Sequence, residues 1–379
     1  MIDFICSNCL QQVAADRASY RCNCGGLWQL ASAGDTDAIE PFSPGRIQRN
    51  NPGLARYAPF LPLPADTLIR LSQQETQTPL LQLTPDLCVK NESALPHGSF
   101  KDRGAWAVIA FALQRGATSI VQDSSGNAGL SVAAYAAKAG LPCEIYVPEN
   151  ASPGKIAKIE AAGAAVHIVP GSRDHCAEVL RARLDATDTT ANSNHSRPFY
   201  ASHVYQPLFI QGVKTIVYEL FEQRRKMPQH IFLPVGNGTL LLGLIQGLED
   251  LRAAGLLTNF PQLIAVQSAN CAPLATAWER KENSPYPISA RPTLAEGIAI
   301  ARPARGRELL ALTGKYHISW QQVSEQAIEQ AGQDLHRYGL KAEPTAAIAF
   351  AAFSEFCNLH GTPPDTLIPL TGNNFEIRS

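Results

Sequence analysis

The segment that decides the fold class is HIFLPVGNGTL, residues 230–240. It starts with a short apolar run typical of a buried strand, and its glycine-rich turn leads into an apolar stretch of helical length that ends before Gly255. The same pattern of strand, turn and helix recurs from Thr67 onward. Helices that end at a glycine are predicted at 104–115, 130–139, 153–162 and 239–254, and strands at 119–121, 143–147, 166–169, 230–233 and 263–266.

This repetition predicts an α/β fold with mainly parallel sheets covered by helices. In such sheets ligands bind at the carboxyl ends of strands, so we expect the functional site at the strand-to-helix turns. The chain has 379 residues, of which 45% are hydrophobic, and this is enough for one or two cores. We therefore expect two lobes with a small appendage.

The charge balance excludes several classes of partner. The net charge is −1, so the chain has no basic field to hold nucleic acid or an anionic membrane surface. The most apolar stretch, 231–248, is interrupted by Pro234 and Asn237, so no membrane span is predicted. The expected partners are a small-molecule substrate and a second copy of the chain in a homodimer.

The N-terminus and the cysteines favour a cytoplasmic location. The first residues, MIDFIC, lack the basic and apolar regions of a secretory signal peptide. Four of the nine cysteines lie in the first 24 residues, and the other five are isolated among apolar residues, which is not the spacing of a disulfide framework. Reduced thiols are typical of cytosolic proteins.

Two cysteine pairs near the N-terminus have the layout of a zinc ribbon. They are Cys6 with Cys9 and Cys22 with Cys24. Four thiolates on two tight turns can complete a tetrahedral structural zinc site. The second pair is one residue shorter than the usual spacing, and a knuckle that has lost its zinc is the alternative.

Composition predicts four parts in the chain. Residues 1–30 form the zinc-ribbon-like knuckle, and residues 31–66, which are rich in proline from 46 to 64, form an extended linker. A large lobe is expected from residues 67–104 together with 203–379. Residues 105–202 are expected to form a small lobe.

The first turn with chemical potential is GSFKDRG at 98–104, which places Lys101 before an apolar helix. Positive potential at a helix N-terminus disfavours the ammonium form and helps to keep an amine or imine unprotonated. This environment suits a lysine that forms a Schiff base with a carbonyl compound. The alternative is a solvated lysine beside an ordinary helix cap made by Ser99.

Two further turns follow predicted strands and carry small or polar residues. The run SSGNAG at 124–129 allows close backbone approach and has N–H groups for a carboxylate, and Asn127 adds a donor and an acceptor. The run at 235–240 can wrap N–H groups around a phosphate. It has neither the P-loop lysine nor the dinucleotide glycine pattern, so a nucleotide is not expected. The candidate phosphate-binding residues are Gly236, Asn237, Gly238, Thr239 and Leu240.

Taken in this order, the three turns resemble those of threonine synthases and, less closely, of threonine and serine dehydratases. Residues 342–347 and 370–373 resemble a later helix start and the C-terminal strand end of the same enzymes. The cysteine knuckle is similar to a ribbon on many threonine synthases. The resemblance covers nearly the whole chain and implies the two-lobed, open parallel-sheet fold of type II pyridoxal-phosphate (PLP) enzymes.

The resemblance also implies a role for each residue of a PLP site. Lys101 would carry the cofactor as a Schiff base and then move protons, Asn127 would bond the phenolic oxygen, and residues 236–240 would hold the phosphate. Thr371 would meet the pyridine nitrogen. A neutral hydroxyl there does not force protonation of the ring, which favours elimination and replacement at Cβ over transamination. Capping of a helix or strand is the alternative for Asn127 and Thr371.

The activity implied by the resemblance is threonine synthase, which converts O-phospho-L-homoserine and water to L-threonine and phosphate. Ser124 and Ser125 with the adjoining N–H groups would bind the substrate carboxylate. Phe209 stands where threonine synthases carry an arginine for the substrate phosphate. Arg302 is therefore the candidate for that role, ahead of Lys214.

Two other functions remain open at this point. Residues 293–299 are closer to a stretch of the dehydratases, so a threonine or serine ammonia-lyase, or another β-replacing lyase, is the first alternative. A non-catalytic, zinc-containing binding protein is the second. An intact Lys101 argues against the second alternative.

Overall fold

A computed structural model of the chain describes residues 2–31, 40–72, 75–188 and 198–373. Within these ranges the backbone forms short strands that alternate with longer helices. The strands are β1 (Asp3–Cys6), β2 (Gln12–Ala14), β3 (Trp28–Leu30), β4 (Leu80–Thr84), β5 (Leu87–Asn91), β6 (Ile120–Gln122), β7 (Cys143–Pro148), β8 (Ala165–Val169), β9 (Phe199–Tyr200), β10 (His230–Pro234), β11 (Gln262–Ser268), β12 (Ser319–Val323) and β13 (Thr366–Leu370). The α-helices are α1 (Ala65–Leu71), α2 (Lys101–Gln114), α3 (Asn127–Lys138), α4 (Pro153–Ala161), α5 (Arg173–Asp188), α6 (Pro207–Val213), α7 (Thr215–Arg224), α8 (Thr239–Ala253), α9 (Pro273–Glu279), α10 (Gly306–Lys315), α11 (Glu325–Arg337) and α12 (Pro344–His360).

The predicted helix ends and strands are present in this fold. Gly116, Gly140, Gly163 and Gly255 all follow helices and have positive φ angles between 70° and 95°. Glycine occupies this left-handed region without the steric cost that a Cβ would add, so it ends a helix at low cost. The local signals in the sequence therefore place the main elements correctly.

The chain divides into two compact units. The first unit comprises Met1–Glu75 and Lys101–Gly212, and the second comprises Thr76–Phe100 and Val213–Ser379. The predicted lobes have the same discontinuous arrangement, but their boundaries at 67, 105 and 203 differ from those observed. The difference arises because α1 and the whole of α2 pack together within the first unit.

A four-stranded parallel sheet, in the order β8-β7-β6-β9, forms the centre of the first unit. Helices α2 and α3 pack against each other, and α2 is buried from Asp102 to Ala112. Gly129 on α3 lies so close to the preceding loop that an added Cβ would be 1.9 Å from the carbonyl oxygen of Ser124. The loop after β6 and the start of α3 are therefore held in one tight arrangement.

The N-terminal residues of the first unit form a small antiparallel sheet in the order β2-β1-β3. The Phe4 ring on β1 lies 5.9 Å from the Phe111 ring on α2, measured between centroids. The predicted knuckle therefore packs on the larger sheet unit and is not a separate body.

The prediction of an extended linker at 31–66 is wrong for the part that the structure describes; residues 32–39 lie outside the described ranges. Residues Pro44–Arg46 and Gly53–Phe60 form 3₁₀ helices. In the second of these, Leu54, Tyr57 and Phe60 are fully buried. They are spaced three residues apart, and this spacing aligns side chains on one face of a 3₁₀ helix. The prolines in this segment therefore accompany a packed face.

The second unit is built on a six-stranded sheet in the order β12-β11-β10-β13-β5-β4. All neighbouring pairs are parallel except β4 with β5. Helix α12, which is buried from Ala346 to Phe353, packs against β10, β11, β12 and β13. No helix in the described ranges is long and apolar enough to cross a membrane.

Candidate active site

Lys101 is the first residue of α2, as the sequence predicted for a lysine beside a helix N-terminus. The residues that follow it are buried, which fixes the start of the helix. Three residues later, Gly104 leaves room for the Phe209 ring, since an added Cβ would lie 2.1 Å from two ring carbons. Phe209 itself is fully buried in the first unit and offers no polar group to a ligand.

A buried polar network surrounds the residue next to Lys101. The Ser131 hydroxyl on α3 donates to the Asp102 carboxylate at 2.6 Å, and neither residue is exposed. Nearby, the Tyr135 hydroxyl donates to Glu75 at 2.6 Å. Burial, together with the negative charges of Asp102 and Glu75, raises the pKa of Tyr135 well above its usual range. The network ties the first turn of α2 to the second turn of α3.

The second predicted turn lies at the carboxyl end of β6. The Ser124 hydroxyl accepts a hydrogen bond from the Gly126 N–H at 3.3 Å, and Asn127 is the first residue of α3. The N–H groups in the first turn of a helix have no partner inside the helix, so they point toward any anion placed there. Ser124, Ser125 and Asn127 thus gather at one strand end of the first unit, as predicted.

His203 also belongs to the surroundings of Lys101, and no local pattern in the sequence pointed to it. Its side chain is buried in the first unit, and its ring lies 6.1 Å from the Phe209 ring. Burial and the positive charges of Lys101 and Arg173 lower its pKa well below the usual range. The imidazole is therefore neutral at physiological pH.

The third predicted turn connects β10 to α8 in the second unit. Gly238 has a φ angle of 83° and directly precedes Thr239, the first residue of α8. The same unit packs its 298–300 segment closely on this turn, since a Cβ added at Gly236 would lie 3.0 Å from the Cα of Ile298. The turn has the left-handed glycine and the helix N-terminus that an anion-binding loop needs.

Thr371 lies beside this turn because β13 pairs with β10 in parallel register. Continuing the register from His230 and Thr366 places Thr371 opposite Val235. Thr371 is buried, and its Oγ1 has no hydrogen-bond partner among the residues that the structure describes. A buried hydroxyl without a partner is costly, so this atom is suited to a ligand at the same sheet edge.

The segment just before Lys101 is attached to the same strand end. The Phe100 N–H donates to the Thr371 carbonyl at 3.0 Å, and the Asn373 N–H donates to the Gly98 carbonyl at 3.1 Å. Ser99 and Gly372 form an antiparallel bridge between these hydrogen bonds. Within the second unit, the chain that leads into Lys101 is therefore fixed to the strand end that carries Thr371.

The structure separates the candidates for a substrate phosphate. The Lys214 ammonium is buried and lies 2.9 Å from the Asp250 carboxylate, so it serves an internal ion pair and is not a solvated helix lysine. Arg305 is buried as well and pairs with Glu308 at 2.7 Å. Arg302 is exposed and follows Ile300, whose side chain lies close to Gly236. Among these cations, Arg302 has the position expected of a phosphate receptor.

The four predicted zinc ligands come together in the knuckle. Their Sγ atoms all lie within 4.8 Å of one another. Burial raises the pKa of the Cys6 thiol, but N–H donors from Cys9 and Asn8 outweigh burial and bring it down to about 6. Tetrahedral zinc bonds of about 2.3 Å hold sulfur atoms at comparable separations, so the residues fit a metal. The cluster consists of Cys6, Cys9, Cys22 and Cys24.

Comparison with known proteins identifies what this arrangement is. Residues 71–372 match the family described as pyridoxal-phosphate dependent enzyme. The chain belongs to this family. The PLP-family chain is 27% identical over 362 residues to a threonine synthase of Methanocaldococcus jannaschii, covering 92% of this chain and 86% of the relative. It is 32% identical over 259 residues to a threonine synthase of Mycobacterium leprae, covering 66% of this chain and 67% of the relative.

Solved structures of the family agree with the fold. A threonine deaminase described as from T.th. superposes with a TM-score of 0.68 at 26% identity, covering 83% of this chain and 98% of that one. The predicted α/β fold of type II PLP enzymes is therefore confirmed. The protein is a PLP-dependent lyase that acts on a small amino-acid substrate.

The residues gathered at these turns fit this cofactor. The Gly236–Leu240 turn offers N–H groups to a phosphate, and the buried Thr371 hydroxyl at the same sheet edge needs a partner such as a ring nitrogen. Lys101 and Asn127 begin two helices that are tied together. Bound PLP supplies an electron sink that stabilises negative charge developing on the carbon atoms of an amino acid.

Proposed function

We propose that the enzyme is a threonine synthase, which converts O-phospho-L-homoserine and water to L-threonine and phosphate. The observation that carries this proposal is the similarity to the Methanocaldococcus jannaschii threonine synthase over 92% of the chain. Similarity over that length spans most of both compact units, so it is not limited to the cofactor-binding turns. The four-cysteine knuckle, which is similar to a ribbon on many threonine synthases, supports the same assignment.

The proposed work of the protein residues begins with positioning of the cofactor. The 236–240 turn binds its phosphate, the Thr371 hydroxyl bonds the pyridine nitrogen without adding a charge, and Asn127 bonds the phenolic oxygen. Lys101 attaches the cofactor and, once released, moves protons at the substrate carbons. Its place at a helix N-terminus favours the uncharged amine that can accept a proton.

Substrate binding is assigned to two other groups. Ser124 and Ser125, with the N–H groups that begin α3, bind the substrate carboxylate, because a helix N-terminus favours an anion. Arg302 binds the substrate phosphate, since it is an exposed cation two residues from Ile300, which contacts the glycine turn of the same unit. Release of phosphate and addition of water at Cβ then complete the reaction.

A turnover assay with three substrates tests the proposal. The purified enzyme is expected to release phosphate from O-phospho-L-homoserine and form threonine, and to deaminate threonine and serine much more slowly. Arg302→Ala should raise KM for O-phospho-L-homoserine and leave the cofactor absorbance unchanged, with Arg307→Ala as a control. An enzyme that ignores O-phospho-L-homoserine would refute the threonine synthase assignment.

A threonine or serine ammonia-lyase is the second candidate. It is supported by the similarity to the T.th. threonine deaminase, which the chain covers almost completely, and by the apolar Phe209 in place of a phosphate-binding arginine. Rapid release of ammonia from threonine or serine in the same assay would establish it. The buried position of Phe209 excludes this side chain itself as a phosphate ligand.

We also propose that Cys6, Cys9, Cys22 and Cys24 hold one structural zinc ion. Four protein thiolates leave no coordination position open for catalysis, so the metal would stabilise the knuckle. A homodimer and a cytoplasmic location are proposed for the enzyme. Size-exclusion chromatography with light scattering tests the first of these, and fractionation of cells tests the second.

A further inference from the structure

A cavity of about 440 Å³ lies within the first unit, away from Lys101 and the Ser124 loop. The knuckle supplies one wall, which includes Tyr20 and Trp28, and the edge of the four-stranded sheet supplies the other through Phe199 and Tyr200. Cavities of a few hundred Å³ are the size of small-molecule sites. None of the residues given roles in the PLP reaction lines this cavity.

The cavity has a partly buried cation on one side. Arg115, at the end of α2, places its guanidinium carbon 5.7 Å and 5.6 Å from the ring centroids of Phe111 and Phe199. One N–H of its guanidinium donates to the Ala18 carbonyl at 3.2 Å. Burial lowers the pKa of Arg115, and the Asp16 carboxylate acts in the opposite direction. A guanidinium in such a place presents further N–H donors that match a carboxylate.

The cavity also has a buried acceptor. Gln206 is 4% exposed, and its Oε1 has no hydrogen-bond partner among the described residues. Its Oε1 therefore needs a donor, and an ammonium group supplies one. Asp16 and Asp185 line the same cavity, and Asp185 already accepts a hydrogen bond from the Tyr20 hydroxyl at 3.3 Å. The acidic groups offset the charge of the cations, so a ligand of no net charge is favoured.

We propose that this cavity is a second ligand site that binds an α-amino acid with an apolar side chain. Its carboxylate would meet Arg115, its ammonium would meet Gln206, and its side chain would contact Tyr20, Trp28 and Phe199. A zwitterion is the chemical class that satisfies a cation and an unpartnered acceptor in one aromatic-walled cavity. The inference does not depend on which reaction the PLP site catalyses.

Isothermal titration of the holoenzyme with L-leucine and L-phenylalanine tests the proposal. At least one of them is expected to bind with a Kd below about 1 mM without changing the visible absorbance of the cofactor. The matched analogues of leucine are 3-methylbutylamine, which lacks the carboxylate, and 4-methylpentanoate, which lacks the amine. Both should bind at least about tenfold more weakly, because each leaves one buried polar group unpaired.

Two variants locate the binding site. Arg115→Met keeps the apolar stem but removes the charge, and it should weaken amino-acid binding by about tenfold or more. Arg183→Met is the control, since Arg183 also lies over an aromatic ring, that of Tyr146, but does not line the cavity. It should bind as the parent does.

Three results would overturn the proposal. The first is no binding of either amino acid to the parent enzyme up to about 10 mM. The second is equal binding of leucine and its two analogues, which would remove the zwitterion from the argument. The third is binding that survives in Arg115→Met but is lost in Lys101→Ala, which would place the amino acid at the cofactor.

Discussion

Replacement of Ser131 by alanine tests whether the buried network next to Lys101 organises the active site. The Ser131 hydroxyl donates to Asp102 at 2.6 Å, and both side chains are fully buried. A hydrogen bond to a charged group contributes about 1.5–3 kcal/mol, and a buried carboxylate that loses a donor cannot turn to water. We therefore expect Ser131→Ala to lower the free energy of unfolding by about 2 kcal/mol, or the midpoint of thermal unfolding by about 4 °C.

The control is Ser354→Ala on α12. The Ser354 hydroxyl donates to the Phe350 carbonyl one helical turn earlier, at 3.0 Å, and this acceptor is neutral. Its loss should cost well under about 1 kcal/mol. Thermal unfolding of the cofactor-free variants and fluorescence titration with PLP are the assays. Cofactor affinity should fall for Ser131→Ala alone, because the helices that begin with Lys101 and Asn127 lose a tie. Equal midpoints and equal PLP affinities for the two variants would refute this reasoning.

Three further predictions concern the second unit and the knuckle. Lys90→Met should destabilise the protein by about 3–5 kcal/mol, because the fully buried Glu219 carboxylate, 2.6 Å from the Lys90 ammonium, would keep its charge without that partner; adding Glu219→Gln should recover part of the loss in chemical unfolding. Thr371→Val should weaken PLP binding in a fluorescence titration but leave the stability of the cofactor-free protein unchanged or higher, since the buried Oγ1 has no partner among the described residues. Metal analysis should find one zinc per chain, and Cys22→Ser should lose it, with a lower unfolding temperature but with PLP still bound; an unchelated preparation free of zinc would contradict the assignment.

The sequence predicted those parts of the fold that depend on local chemistry. Apolar runs and helix-ending glycines such as Gly116 and Gly140 place strands and helices because their φ angles and burial are set within a few residues. The three strand-to-helix turns were also predicted, since parallel sheets put them at ligand-binding edges. For the same reason, the four knuckle cysteines could be grouped from their spacing alone.

Long-range contacts set the features that the sequence did not predict. The segment around Tyr57 looked like a linker because it is rich in proline, yet its apolar face packs into the first unit. The bond between Asp102 and Ser131 joins residues 29 positions apart, and the bridge between Ser99 and Gly372 joins residues much farther apart. His203 becomes part of the lysine environment only through the fold. No pattern of neighbouring residues announces such pairs.

The most direct test of the account is to locate the cofactor on the chain. The purified enzyme is reduced with borohydride, digested, and mapped by mass spectrometry for a lysine that carries the pyridoxyl group. We predict a single modified peptide with the group on Lys101, and no modification in Lys101→Ala treated in the same way. A pyridoxyl group on another lysine, or none in enzyme that was saturated with PLP, would contradict the assignment of Lys101.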